Sequence, residues 1–208
     1  MTSVESLKAL KPRAPFFVGV DSDGCVFDTM ELKHKECFCP QFVNHFDMQP
    51  VSRYARDVWD FVNLYSNTRG CNRFLAVTRV LDLLTGREAV RARGVTVPPM
   101  QELRAWTARE QKLGNPALEA EVERTGDADL RRALAWSEDV NAAVTRIVRN
   151  VAPFPLVRES LEKMAGKADA IVVSQTPTEA LVREWREHGI DSFVGAIAGQ
   201  EQGKKSEH

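Results

Sequence analysis

FFVGVDSDGCVFDT, residues 16–29, runs a short apolar segment into three aspartates, Asp21, Asp23 and Asp28, around a single glycine. A carboxylate at the end of a buried strand loses hydration unless something pairs with it. The segment therefore calls for a cation, a proton donor or a substrate next to it. Phe16–Val20 shows no polar alternation, the pattern of a strand covered on both faces in a parallel sheet. Residues two apart in extended chain project to the same side, so Asp21 and Asp23 can act on one ligand. Gly24 permits a sharp turn and a close backbone approach. Taken alone, the pair has three readings: a magnesium site built on hard oxygen ligands, a nucleophile with a general acid/base, or a turn whose aspartates cap backbone amides.

Working outward, two further apolar runs, 170–173 and 193–198, predict strands, with SQTPTEALVREWREHGI between them. Thr176, Pro177 and Glu179 match a capping box with proline at the first helical position, and Gly189 is a helix terminator. Strand, helix and strand in that order form one βαβ unit. The interval from the first run to the second is far longer than the about 30 residues such a unit needs. Tyr54, Val58, Phe61, Val62 and Tyr65 recur at helical spacing, as do Phe74, Val77, Leu81 and Leu84. Helical patterns also cover 101–113, 128–148 and the segment LVRESLEKMAG, and Gly/Pro signals separate the central ones. The expected fold class is α/β: a Rossmann-like parallel core from residues 1–29 and 153–208, with a helical insertion over 30–152.

Composition narrows the function classes. The chain has 208 residues, 43% apolar and 27% charged, and 28 basic against 29 acidic residues leave a net charge of −1. No global field favours nucleic acid or an anionic membrane surface. No uncharged apolar run reaches the about 18 residues of a spanning helix, and the first residues lack the apolar core of a secretion signal. The four cysteines form no CxxC pair, and reduced thiols in a cytoplasmic protein are expected. His34 and His45 have no ligand-like partner in the sequence and read as surface or packing residues.

With those residues in place, the chain resembles the haloacid dehalogenase superfamily. FFVGVDSDGCVFDT is similar to its first signature, an apolar strand followed by DxDGxxxDT. AIVVSQTP resembles the second, a strand ending in Ser or Thr, and GQEQGKKSEH the third, a lysine after the third strand. The order of parts resembles the phosphoglycolate phosphatase and β-phosphoglucomutase-like members, whose helical cap follows the first strand.

The resemblance implies Asp21 as nucleophile and Asp23 as the acid that protonates the leaving oxygen and then activates water. Both would hold Mg²⁺, Asp21 by its side chain and Asp23 by its backbone carbonyl. Ser174 would bind a phosphoryl oxygen, and Lys205, or its neighbour Lys204, would balance charge. Gly24, Gln175, Arg69 and Arg73 are the expected substrate contacts, the two arginines through a cap specificity loop in TRGCNRF. Asp28 and Thr29 are read as a helix N-cap or a brace for the linker.

The implied function is a Mg²⁺-dependent phosphatase acting on a small sugar or carboxylate phosphate. Asp23 argues against dehalogenation, since family dehalogenases lack that second acid. The alternatives are a phosphomutase and a non-catalytic binding module. The family's fourth acidic signature is not found after Lys205, so the expectation is that the core is incomplete and the protein longer than this chain.

Overall fold

The computed structural model describes residues 3–203 and Lys205. It is helix-rich, with one small three-stranded sheet, an α/β arrangement. Its contacts divide into two compact units, Met1–Met30 with Asn150–His208, and Glu31–Arg149.

The first unit carries the sheet. β1 (Phe16–Val20), β2 (Ala168–Val173) and β3 (Ala196–Ala198) lie in the order β1-β2-β3, all parallel. Phe16 faces Ala168 and Val20 faces Val172 across the first pair, and Ile171 faces Ala196 across the second. All three strands therefore end together at Val20, Val173 and Ala198. Leu161 of the Val157–Met164 helix and Leu181 and Trp185 of the Thr178–Glu187 helix pack with Val26, Phe27, Val172, Ile190 and Ile197 into one apolar cluster.

Two strand expectations change. β1 is not covered on both faces: it lies at the sheet's edge, and Phe16 and Phe17 are 69% and 63% exposed. The third strand is shorter than 193–198, because Asp191–Phe193 is a 3₁₀ turn. Phe193 and Val194 look strand-like because they pack on the apolar cluster, yet the pairing with β2 starts at Ala196.

The second unit is all helix among its described elements. Its core surrounds Trp59, Trp106 and Trp136, with Phe42 and Phe46 against the first and third of these and Phe74 edge-on to the other. The helical pattern over 52–65 is interrupted: Ser52–Asp60 is α-helical, and Phe61–Tyr65 widens into a π turn. That turn rotates the stripe, so Val62, Asn63 and Leu64 are buried in succession while Phe61 and Tyr65 are exposed. The Asn63 side chain survives burial by donating to the Trp59 carbonyl at 3.0 Å. Cys37 and Cys39 are buried and Cys25 and Cys71 exposed, all four as free thiols. Burial pushes the Cys39 thiol up to about 12.

Close backbone approach decides one position near the strand ends. A Cβ on Gly199 would sit 2.5 Å from Thr178 Oγ1, 2.6 Å from the Thr176 carbonyl oxygen and 2.7 Å from Thr178 N. Backbone atoms cannot yield as a flexible side chain can. Gly199→Ala is expected to lower stability by about 1–3 kcal/mol in urea unfolding, as overpacking does. Gly86→Ala, where a Cβ meets nothing within 4 Å at a helix end, is expected to leave stability unchanged or raise it by up to about 1 kcal/mol.

Candidate functional site

Three loops leave the carboxyl ends of the strands, where ligands bind in open α/β sheets. The first is Asp21–Thr29. Ser22, fully buried, anchors it: its carbonyl accepts from the amides of Val26 (2.8 Å) and Phe27 (3.1 Å). Trp185 Nε1 donates to the Ser22 hydroxyl at 3.1 Å, which fixes the serine between the two flanking aspartates. Gly24 adopts φ +72°, the left-handed conformation that favours glycine, and its amide donates to the Phe27 carbonyl at 2.8 Å. The Gly24 amide thus closes the turn.

Asp21 and Asp23 emerge from this turn with different surroundings. Asp21 Oδ1 accepts from the Ser22 amide at 2.9 Å, and Oδ2 pairs with Lys205 Nζ at 2.6 Å. Its side chain is 39% exposed, within reach of a ligand. Asp23 is held at both oxygens by hydroxyls: Thr29 Oγ1 donates to Oδ1 at 2.5 Å and Thr176 Oγ1 to Oδ2 at 2.6 Å. The sequence marks Thr29 only as a cap or linker brace and Thr176 only as a capping-box residue, and neither as a partner of Asp23. Thr29 is buried and orients the acid. Thr176 does the same and does not cap the following helix, which starts at Thr178.

The second and third loops are tied to each other and to the first. Ser174 is buried; its amide donates to the Ala198 carbonyl at 3.0 Å and its hydroxyl accepts from the Thr176 amide at 3.2 Å. Gln175 is exposed, and its Nε2 donates to the Gly203 carbonyl at 3.1 Å. The Gln200 amide donates to the Thr176 carbonyl at 3.1 Å. Glu201 Oε2 accepts from the Thr178 amide at 2.9 Å and the Thr178 hydroxyl at 2.5 Å, capping the Thr178–Glu187 helix from a distant part of the chain. The circuit closes where Lys205 meets Asp21. Each loop is thereby held by the other two.

The structure thus brings together Asp21, Asp23, Gly24, Ser174, Gln175 and Lys205 within the first unit. Lys204, the alternative cation, lies outside the described residues. Arg69 and Arg73 belong to the second unit: Arg69 is exposed in the turn before the Arg73–Gly86 helix, and Arg73 begins that helix. Asp28 is exposed in the first loop.

The metal-binding capacity follows from the donor set. Among the described residues no group of three or more His, Cys, Asp or Glu side chains is placed to share an ion. Asp21 offers one carboxylate and Asp23 its backbone carbonyl, both Asp23 carboxylate oxygens being bound by threonine hydroxyls, so substrate phosphate and water would have to complete an Mg²⁺ octahedron. The residues fit a substrate-assisted site better than a preformed cage.

No family model matches the chain, and no curated protein sequence matches it. Among solved structures it is similar to a protein described as a predicted phosphoglycolate phosphatase from Haemophilus somnus 129pt, at 13% identity and a TM-score of 0.37. That similarity takes in 93% of this chain and 66% of the other. Among the described residues no helix is long and apolar enough to cross a membrane.

Glu201 makes the loop circuit testable by pH. Burial pushes its carboxyl up, but hydrogen bonds from the Thr178 hydroxyl and amide outweigh this and leave it below its ordinary value. A depressed folded pKa adds stability above the unfolded carboxylate range, and that share is lost as pH falls through the folded value. Glu201→Gln is expected to be less stable than the parent near neutrality. Its urea midpoint is also expected to fall less steeply between about pH 6 and pH 3.

Proposed function

We propose that the strand-end site is a phosphoryl-transfer centre and that the protein is a Mg²⁺-dependent phosphatase of a small phosphorylated metabolite, a sugar or carboxylate phosphate. The observation that carries this reading is the unequal treatment of two carboxylates in one turn. Asp21 is part-exposed and faces an ammonium group, while Asp23 is oriented at both oxygens by threonine hydroxyls. A nucleophile needs access and charge balance; a general acid/base needs a fixed direction.

In this reading an Asp21 oxygen attacks phosphorus and the bond to the leaving oxygen breaks. Asp23, protonated, gives its proton to that oxygen, so the product departs as a neutral hydroxyl. Asp23 then takes a proton from water, the water oxygen attacks the aspartyl-phosphate, and inorganic phosphate leaves with Asp21 restored. Lys205 sits where it can offset the negative charge shared by Asp21 and the incoming phosphoryl oxygens. Ser174, at the end of β2, is the expected hydroxyl donor to the phosphoryl group. Bound by Asp21 and the Asp23 backbone carbonyl, Mg²⁺ would supply further neutralisation of the phosphoryl oxygens. The helical second unit fits a role as a cap that excludes water and selects substrates, as in the family the sequence resembles.

Two variants test the reading. Asp21→Asn is expected to abolish Mg²⁺-dependent phosphate release from a panel of small phosphomonoesters, and undiminished release would contradict the assignment. Thr176→Val leaves the nucleophile intact and removes the hydroxyl that donates to Asp23 Oδ2. It is expected to lower kcat by about tenfold or more with little change in KM, because it acts through positioning of the proton-transfer group.

A further inference from the structure

Beneath the two aspartates lies a hydrogen bond between two residues that neither carry charge nor meet solvent. Ser22 is fully buried, while Asp21 and Asp23 on either side of it are part-exposed. Its hydroxyl accepts from Nε1 of Trp185 at 3.1 Å, and Trp185 is fully buried in the first unit's apolar cluster. Each polar atom is thus the partner that makes the other's burial tolerable. The core itself does not need the pair. Replacing both members of a buried hydrogen bond with apolar groups of similar shape is nearly neutral for stability, so packing alone gives no reason for a serine here. The bond contributes something packing does not, a fixed direction.

Trp185 meets the first loop at two points. Besides the Ser22 hydroxyl it touches Phe27, whose ring stands edge-on to the indole at 83° with centroids 6.2 Å apart. Phe27 is buried and packs on its other side against the His188 ring at 5.4 Å. The Ser22 carbonyl joins the two points by accepting from the amides of Cys25 (3.3 Å), Val26 (2.8 Å) and Phe27 (3.1 Å). Asp23 and Gly24 therefore lie on a span whose ends both rest on one indole. The indole is itself fixed, because Glu201 of the third loop holds the start of its helix through Thr178. Beyond the end of that helix the Ile190 amide donates to the Trp185 carbonyl at 3.0 Å. The hydroxyls of Thr29 and Thr176 aim the Asp23 carboxylate; Trp185 determines where its backbone stands.

We infer that Trp185 is a positioning residue for phosphoryl transfer: through its bond to Ser22 it sets the placement of the nucleophile Asp21 relative to the acid Asp23. The inference rests on the phosphatase reading and extends it to a residue with no access to substrate. Fully buried, Trp185 acts only through the loop it holds. Reacting groups displaced by about 1 Å lose rate by up to about a hundredfold, so a bond remote from the reacting atoms can govern kcat.

The test compares Ser22→Ala, Trp185→Phe and the double variant with the parent in Mg²⁺-dependent phosphate release, using the small phosphomonoester the parent hydrolyses fastest. Each single variant is expected to lower kcat about tenfold or more and to leave KM within about twofold. The double variant is expected to lose no more than the worse single, because both changes remove one bond. Ser22→Ala deletes a single oxygen and keeps the test decisive where Trp185→Phe folds poorly. Trp185 is the sole tryptophan of the first unit, so its Nε1–Hε1 resonance, identified by its loss in Trp185→Phe, reads the bond independently of activity. That resonance is expected to move upfield in Ser22→Ala. A parent-like kcat in Ser22→Ala, losses that multiply in the double variant, or an unmoved indole resonance overturns the positioning role alone. A parent that releases no phosphate, or an Asp21→Asn variant that releases as much, overturns the phosphatase reading and this role with it.

Discussion

The first unit depends on how it accommodates carboxylate charge where three parallel strands end together. Parallel strands deliver their loops to the same edge, and β1 delivers two aspartates there. Asp23 is stabilised by hydroxyls from two separate segments, Thr29 and Thr176, and Asp21 by a lysine from a third. Charge-assisted hydrogen bonds of this kind are about twice as strong as neutral ones. They also fix where the loops run, because each of these donors is aimed at a particular oxygen. Glu201, bound to the amide and hydroxyl of Thr178, repeats the device between the second and third loops. The same bonds that make the acids tolerable give them distinct chemical characters.

Glycine marks the places where this arrangement has no room. Gly24 supplies the left-handed corner that closes the first loop's turn after Asp23, and Gly199 allows the third loop to touch the backbone of the second. Neither residue offers a functional group. Both allow the functional groups of others to meet.

Much of this was legible in the sequence, and the limits have physical causes. β1 and its aspartates could be read because an unbroken apolar run and an acidic turn are local signals. The helices of the second unit could be read from their stripes at Tyr54, Val58, Phe61, Val62 and Tyr65, although Phe61 and Tyr65 prove exposed, and at Phe74, Val77, Leu81 and Leu84. Thr-Pro-Thr-Glu carries the spacing of a capping box, which points to Thr176 as a helix cap. Its hydroxyl instead serves a carboxylate far away in the chain, and the helix receives its cap from Glu201. Long-range donors leave no periodicity, so Thr29 and Thr176 were invisible as partners of Asp23. The π turn at Phe61–Tyr65 was hidden for a related reason: its buried set, Val62, Asn63 and Leu64, follows packing and not the helical period. The exposure of Phe16 and Phe17 depends on which strand occupies the edge of the sheet, a fact of assembly that no single strand encodes.

The central claim is that Asp21 is a nucleophile held ready by Lys205 and flanked by an oriented acid. Acid-quench of the protein during incubation with Mg²⁺ and a panel of small phosphomonoesters, followed by peptide mass analysis, tests it most directly. The account predicts a phosphoryl adduct on Asp21 that is labile to hydroxylamine and absent from Asp21→Asn. Phosphate release without any adduct on Asp21, or an adduct on another residue that persists in Asp21→Asn, would contradict it.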